Sequence, residues 1–163
     1  TPVPPVPTPM ARIDGQRALF VIPDRFSVVE YRLPRTILEE LGATVTIATY
    51  SSQAVLGSDG KQVEPNAFLV DAHAGDYDAI VFVGGSGVKT GDPEVQRIVR
   101  EALAEDRVVA AICAAQGVLT RAGVVEANGA DGPYVERNGK IITASGPIKS
   151  REFGESIAAV LGE

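Results

Sequence analysis

The centre of this chain is the segment RVVAAICAAQGVL, residues 107–119. It opens with β-branched and small apolar residues, which predict a strand buried on both faces. The residues that follow, 114–122, predict a helix, so Cys113 lies where the strand turns into the helix. Alanines stand two positions before and after this turn, at Ala111 and Ala115, and let the two backbones approach closely. This spacing is typical of a nucleophile elbow in which cysteine takes the place of serine.

Cys113 is the only cysteine of the chain. At the start of a helix, free N–H groups and the helix dipole favour a thiolate, so this position predicts a reactive thiol with a lowered pKa. The alternative is a buried structural cysteine, which is the usual state of an isolated cysteine, but the elbow pattern favours the reactive thiol. A single cysteine allows no internal disulfide, and without a Cys/His cluster the sequence predicts no metal site.

The composition is that of one globular domain, with 163 residues of which 45% are hydrophobic and 22% charged. Five prolines among the first nine residues predict a disordered, extended tail over 1–14, followed by a single domain over 15–163. A net charge of −6 argues against nucleic acid or an anionic membrane as the partner. No apolar run approaches the roughly 18 residues of a membrane span. We expect a cytoplasmic protein, or an exported one if the tail is the linker left after removal of a signal.

Strand and helix patterns alternate along the chain. The predicted strands are 17–22, 44–49, 79–83 and 108–112, with a small hairpin within 55–63, a short strand over 67–70 and a hairpin about Asn138-Gly139. The predicted helices are 28–41, with Val29, Leu33, Ile37 and Leu41 inward, a second that begins after the Asp92 cap, and 150–161. This order predicts an α/β fold, a three-layer α/β/α sandwich with a flavodoxin-like, mainly parallel sheet.

Sites in open parallel sheets form at the carboxyl ends of the strands, so the loops after the first, third and fourth of the strands just given converge. The candidate site residues in these loops are Asp24, Glu30, Gly84, Gly85, Ser86 and Cys113. Glu30 supplies a carboxyl beside the thiol, and the backbone amides of Gly85 and Ala114 could form an oxyanion hole. Asp24, Gly84 and Ser86 complete the predicted pocket.

His73, the only histidine, precedes the strand 79–83 and therefore belongs to the opposite edge of the sheet. It is expected to be a surface residue, which leaves no histidine placed as a general base. The glycines at 85, 87 and 91 match neither a dinucleotide fingerprint nor a phosphate loop, so no cofactor is predicted.

Four segments together resemble the ThiJ/PfpI superfamily, which includes the parkinsonism-associated deglycases. They are VEYRLP (29–34), YDAIVFVGG (77–85), AAICA (110–114) and NGKIITASGP (138–147), the last followed by Glu-Phe. The resemblance implies a class I glutamine-amidotransferase-like sandwich, with Cys113 as the elbow cysteine and Glu30 as a protonated carboxyl hydrogen-bonded to it. It also implies Gly85 and Ala114 as the amide pair, and a homodimer or a dimer-based oligomer.

Two features depart from this family pattern. Ala114 stands where the peptidase-like branch has a histidine, so the peptidase reading lacks its base. About ten residues join Gly123 to Tyr134, where relatives have a strand and a longer loop that often covers the pocket. Either this chain has a more open pocket or residues are missing from this connection.

The function predicted from the resemblance is a cofactor-independent enzyme of the glyoxalase III or deglycase kind. It would act on a small-molecule carbonyl substrate, a 2-oxoaldehyde such as methylglyoxal, with Cys113 as nucleophile and Glu30 as proton shuttle. The first alternative is a redox-sensing stress or chaperone protein that oxidises the same cysteine. A weaker alternative is a PfpI-type peptidase.

Overall fold

A computed structural model describes residues 10–124 and 133–163 of the chain. The strands are β1 (Arg17–Ile22), β2 (Thr44–Thr49), β3 (Val55–Leu56), β4 (Gln62–Val63), β5 (Ala67–Phe68), β6 (Ala79–Phe82), β7 (Val108–Ile112), β8 (Val135–Asn138) and β9 (Ile141–Ala144). Among the described residues, seven of these strands form one sheet in the order β5-β2-β1-β6-β7-β9-β8, parallel throughout except for β8, which runs antiparallel to β9. A separate antiparallel hairpin pairs β3 with β4.

The α-helices cover both faces of this sheet. They are α1 (Val28–Glu40), α2 (Pro93–Ala104), α3 (Gln116–Arg121) and α4 (Ser150–Leu161). Helices α1 and α4 pack together on one face, while α2 and α3 cover the other. The predicted three-layer α/β/α sandwich with a mainly parallel sheet is thereby confirmed.

Each buried strand contributes alternate residues to the two apolar cores. In β1, Ala18, Phe20 and Ile22 face α1 and α4, whereas Leu19 and Val21 face α2 and α3. All five side chains are completely buried. A strand that lies in the middle of the sheet therefore reads as an uninterrupted apolar run, which is why β1, β6 and β7 were predicted to within one residue.

Helix α1 begins where predicted but turns a different face to the core. The side chains that it buries are Glu30, Tyr31, Pro34 and Leu38. Of the predicted apolar stripe, Val29 is 45% exposed and therefore wrong, whereas Leu33, Ile37 and Leu41 are partly buried. The reason is the contact with α4, where a Cβ added to Gly154 would lie 2.8 Å from the Cα of Pro34. This close approach brings Pro34 inward and turns Glu30 toward the sheet.

The structure corrects two smaller predictions, the position of the turn in the last hairpin and the start of the helix after Cys113. The hairpin between β8 and β9 turns at Gly139-Lys140, not at Asn138-Gly139, because Asn138 still pairs with Ile141. Gly139 takes the left-handed backbone conformation, with a φ of +63°, that this tight turn requires. The helix predicted directly after Cys113 starts with a 3₁₀ turn over Cys113–Ala115 before α3 begins.

The packed unit begins before residue 15, where the sequence placed the end of the tail. Ile13 is 3% exposed and its N–H donates to the carbonyl of Leu41 over 2.8 Å. Residues 1–9, with the prolines on which the tail prediction rests, lie outside the described residues, and so does most of the short connection, 125–132. Within the described ranges, no helix is both long enough and apolar enough to cross a membrane.

Candidate active site

Cys113 follows β7 directly and has a φ of +56°, a left-handed conformation that is uncommon for a residue other than glycine. The residues on either side of the turn, Ala111 and Ala115, are completely buried, which leaves no room for larger side chains. Cys113 itself is partly exposed. A strained residue persists only when its surroundings hold it in place, and such residues concentrate at functional sites. The geometry is that of the predicted elbow.

Glu30 lies in the first turn of α1 and is only 1% exposed. Its carboxyl faces the thiol of Cys113, the hydroxyl of Ser27 and the backbone N–H of Gly84. Its Oε1 atom makes no hydrogen bond of good geometry with any described residue. Ser27 is the N-cap residue of α1, yet its side chain makes no capping bond and is free to face Glu30. The structure thus brings the predicted carboxyl and thiol together.

Gly84 separates the two reacting groups and leaves space for both. A Cβ placed on Gly84 would collide with Oε1 of Glu30 and lie 2.9 Å from the carbonyl oxygen of Ile112 and 3.1 Å from the Cβ of Cys113. The Gly84 carbonyl accepts a hydrogen bond from the N–H of Ser27 over 2.9 Å, which fixes α1 against the loop after β6. Glycine is therefore required at this position by space, not by backbone conformation.

Burial is the largest influence on the pKa values of Glu30 and Cys113. It raises the pKa of the Glu30 carboxyl, although Ser27, Gly84 and Cys113 each favour the ionised form. Burial, followed by the charge of Glu30, also raises the pKa of the Cys113 thiol, while the Ala114 N–H lowers it. Burial and the charge of Glu30 act on the thiol pKa against the lowering expected from the helix start, and the N–H of Ala114 does not offset them. The two groups carry one negative charge more readily than two.

The other residues predicted for the site also lie at this edge of the sheet. They are Ala114, Gly85, Ser86 and Asp24, and they differ in exposure and in hydrogen bonding. Ala114 is exposed and its N–H faces the sulfur. Gly85 pairs with Phe26 in an isolated bridge, one residue beyond Gly84. Ser86 is exposed. The carboxylate of Asp24 accepts a hydrogen bond from the N–H of Leu56 over 3.2 Å.

Asp24 also lines a cavity of about 100 Å³ formed by the loops after β1, β2 and β6. Its other wall residues include Tyr50, Lys89 and Asp92. The hydroxyl of Tyr50 is buried and has no hydrogen-bond partner among the described residues.

His73 lies before β6, at the edge of the sheet opposite to Cys113. Its side chain is 68% exposed, and its Nδ1 lies 3.5 Å from Oε1 of Glu101. Across residues 10–124 and 133–163, no three His, Cys, Asp or Glu side chains converge as ligands of a metal ion would.

The sequence analysis missed a pair of hydrogen-bonded side chains next to the elbow. Gln116, one turn after Cys113, donates from Nε2 to the Ala144 carbonyl over 2.9 Å and accepts at Oε1 from the Tyr134 hydroxyl over 3.0 Å. Ser145 pairs with the backbone of Tyr134 beside it. The sequence signal was present only in part, since Tyr134 flanks the predicted hairpin, but no local pattern joins it to Gln116.

Replacing Gly84 by alanine is expected to lower the free energy of unfolding by about 1–3 kcal/mol, the usual cost of an added methyl group in a packed core. The methyl group would displace Glu30 from Cys113. Thermal unfolding with and without Glu30→Ala measures this, because the cost of the methyl group should shrink once the carboxyl is removed. An equal cost in both backgrounds would contradict the predicted collision.

Comparison with known proteins gives a consistent assignment. The sequence model of the DJ-1/PfpI family matches residues 16–132. The chain is 28% identical to the Parkinson disease protein 7 homolog of Danio rerio over an alignment of 170 positions, covering 90% of each protein. It is 29% identical to Deglycase PfpI of Pyrococcus furiosus over 113 positions, or 68% of each. The crystal structure of Drosophila melanogaster DJ-1beta superimposes with a TM-score of 0.80 at 26% identity, over 91% of both chains.

The sequence match, the mainly parallel sheet and the elbow with its buried glutamate agree, and the chain belongs to the DJ-1/PfpI family.

Proposed function

We propose that this protein is a cysteine-dependent enzyme of the glyoxalase III or deglycase kind, acting on small 2-oxoaldehydes such as methylglyoxal. The observation that carries the proposal is the pairing of the partly exposed Cys113 thiol with the Glu30 carboxyl, which is 1% exposed. A nucleophile and a single acid/base group with a raised pKa are the minimum that this reaction requires.

In the first step, the Cys113 sulfur adds to the aldehyde carbon while the Glu30 carboxylate takes the thiol proton. The new C–S bond gives a hemithioacetal whose oxygen develops negative charge and then takes the proton back from Glu30, which leaves Glu30 as a carboxylate for the second step. The Ala114 N–H, which already faces the sulfur, and the Gly85 N–H are the proposed donors to that oxygen. Because the proton passes to Glu30 and back, the site and the adduct together carry a single negative charge throughout this step.

In the second step, the Glu30 carboxylate removes the proton from the former aldehyde carbon to give an enediol. Glu30 then returns this proton to the neighbouring carbon, the former ketone carbon. The aldehyde carbon is thereby oxidised to a thioester and the ketone carbon is reduced to an alcohol, so no external oxidant or reductant is needed. Water then cleaves the C–S bond, with Glu30 as general base, and releases lactate and the free thiol.

The relatives support the coarser part of this proposal. The Pyrococcus furiosus protein that covers 68% of this chain is named as a deglycase. Deglycation and 2-oxoaldehyde isomerisation both act on a carbon derived from an aldehyde, so in our proposal the same thiol and carboxyl would serve either reaction. The choice of a free 2-oxoaldehyde as substrate is the finer part of our proposal.

Two other functions are the alternative outcomes of the test. A redox sensor would use the partly exposed sulfur of Cys113 and the Ala114 N–H to hold a sulfinate. A peptidase would need a base able to activate water against an amide, yet Ala114 follows the cysteine and His73 lies at the opposite edge of the sheet.

The wild-type protein, without added metal, glutathione or nucleotide, is expected to convert methylglyoxal slowly to lactate. His73→Ala should retain this rate within about twofold, since the side chain is exposed and lies at the edge of the sheet opposite to Cys113. Lactate release is the measurement. Absence of turnover together with stoichiometric oxidation of Cys113 by peroxide would replace the enzyme with the sensor, and peptide hydrolysis would support the peptidase.

Several context predictions accompany this function. The homodimer or dimer-based oligomer is measurable by light scattering after size exclusion. The cytoplasmic location, the independence from cofactors and the absence of nucleic-acid and membrane partners likewise stay predictions. The single domain over 15–163 also stays a prediction, and the buried Ile13 packs against it.

A further inference from the structure

The side chain of Gln116 joins the elbow to the edge of the sheet beside it. Its backbone N–H donates to the carbonyl of Cys113 and so closes the 3₁₀ turn that carries the thiol. Its side-chain Nε2 donates to the carbonyl of Ala144, the last residue of β9, over 2.9 Å. One residue therefore holds the backbone of the cysteine and the end of the neighbouring strand.

Tyr134 completes a closed ring of hydrogen bonds. Its hydroxyl donates to Oε1 of Gln116 over 3.0 Å. Its backbone N–H donates to Oγ of Ser145 over 2.9 Å, and its carbonyl accepts from the N–H of Ser145 over 3.0 Å. Because Ser145 follows Ala144 in the chain, the ring returns to Gln116 through that carbonyl. Both side chains are half-buried, so water competes only weakly for these bonds.

The location of this ring matters because the residue that it supports is strained. Cys113 has a φ of +56°, and this conformation persists only if its neighbours fix the turn. The same turn aims the Ala114 N–H at the sulfur, where it lowers the thiol pKa against burial and the charge of Glu30. A turn that relaxes would move this N–H away from the sulfur.

We propose that Gln116 and Tyr134 are positioning residues, which hold the Cys113 elbow in the conformation that presents the thiol and the Ala114 N–H to a substrate. Neither residue is placed against the reacting atoms. They act through the backbone of Cys113 and through the end of β9. This role deepens the proposed function, but it concerns the thiol itself and can be measured without turnover.

The test is the rate of Cys113 alkylation by iodoacetamide as a function of pH in Tyr134→Phe. Loss of one hydrogen bond inside a half-buried ring is expected to slow alkylation at neutral pH by roughly three- to tenfold. The midpoint of the alkylation profile should move to higher pH, because the N–H that favours the thiolate is less well placed. The limiting rate at high pH should change little, since the sulfur stays accessible.

Tyr77→Phe is the matched control, because it removes the same hydroxyl from a tyrosine that lies just before β6, at the edge of the sheet opposite to Cys113. Its alkylation profile should coincide with that of the wild type. Gln116→Met should reproduce the shift of Tyr134→Phe or exceed it, as it also loses the bond to Ala144. The double variant should be no worse than Gln116→Met alone, because both substitutions break the same bond.

Thermal unfolding of each variant separates positioning from general stability. The proposal is supported if the alkylation midpoint moves to higher pH in Tyr134→Phe and the midpoint of the double variant equals that of Gln116→Met alone. A lower melting temperature with an unchanged alkylation profile overturns it and leaves the ring a structural link only. An unchanged profile with an unchanged melting temperature overturns it as well. Absence of methylglyoxal turnover in the wild type would affect the proposed function but not this measurement.

Discussion

Cys113→Ala is expected to reduce the conversion of methylglyoxal to the rate without enzyme. The proposed reaction passes through a bond between the Cys113 sulfur and the aldehyde carbon, and an alanine offers no atom that can form it. The fold should be retained, because Cys113 lies between the small residues Ala111 and Ala115 and the substitution removes only the sulfur atom. Lactate release and thermal unfolding, measured on the same preparation, check both parts.

Cys113→Ser is the informative companion to this variant. A serine fills nearly the same volume and keeps the polar atom, but its hydroxyl is a far weaker nucleophile, and His73 lies at the opposite edge of the sheet. We therefore expect this variant to be as inactive as the alanine variant. Residual turnover in either one would place the nucleophile elsewhere and contradict the proposed mechanism.

Glu30→Gln is expected to lower turnover at least about 10²-fold, the usual loss when a general acid/base is removed. The same substitution should also move the pH profile of Cys113 alkylation, in the direction opposite to the shift expected for Tyr134→Phe. Because the charge of Glu30 raises the thiol pKa, an uncharged glutamine should move the alkylation midpoint to lower pH. A variant that reacts faster with iodoacetamide yet turns over far more slowly would separate proton transfer from simple thiol reactivity.

The control for this variant is Glu39→Gln, the same substitution on the same helix. Glu39 is exposed and pairs with Arg35 over 3.1 Å, so neither turnover nor alkylation should change by more than about twofold. If Glu30→Gln leaves both turnover and the alkylation midpoint unchanged, the coupling between the carboxyl and the thiol is wrong.

Glu30→Gln should also change how stability depends on pH. Burial raises the Glu30 pKa above its ordinary value of 4.5, so as pH rises past 4.5 the unfolded chain loses its proton before the folded protein does. The wild type therefore loses stability as the pH rises from 4.5 through the raised folded pKa, whereas the glutamine variant has no such titration. The variant should be more stable than the wild type at neutral pH, and this advantage should disappear below about pH 4. Melting temperatures across this range measure the difference, and an advantage independent of pH would contradict a buried ionised carboxylate.

Much of this fold was predictable because its determinants are local. Strands β1, β6 and β7 are buried on both faces, and a strand in that environment must be a continuous apolar run wherever it occurs. The elbow was predictable for the same reason, since a sharp turn from strand to helix demands small residues at Ala111 and Ala115 whatever lies around it. The glycines after β6 and the position of Cys113 at the carboxyl edge then placed the thiol, the loop amides and Glu30 at one end of the sheet.

Other features depended on contacts between residues far apart in the chain. The buried face of α1 is determined by the approach of Pro34 to Gly154, about 120 residues later. No periodicity within α1 contains that information. The link between Gln116 and Tyr134 likewise arises only when β9 takes its place beside β7.

The sequence by itself determined the order of strands and helices, the parallel sheet and the presence of a cysteine at an elbow, because each follows from the shape and polarity of adjacent residues. Only the tertiary structure decided the direction in which the pKa values of the site are shifted. The pKa values of Cys113 and Glu30 depend on burial beneath Gly84, on the distance between two groups from different elements and on one backbone N–H. A helix start alone predicted a lowered thiol pKa, and the desolvation of two neighbouring acids reversed it, since the free energy of a charge depends on everything packed around it.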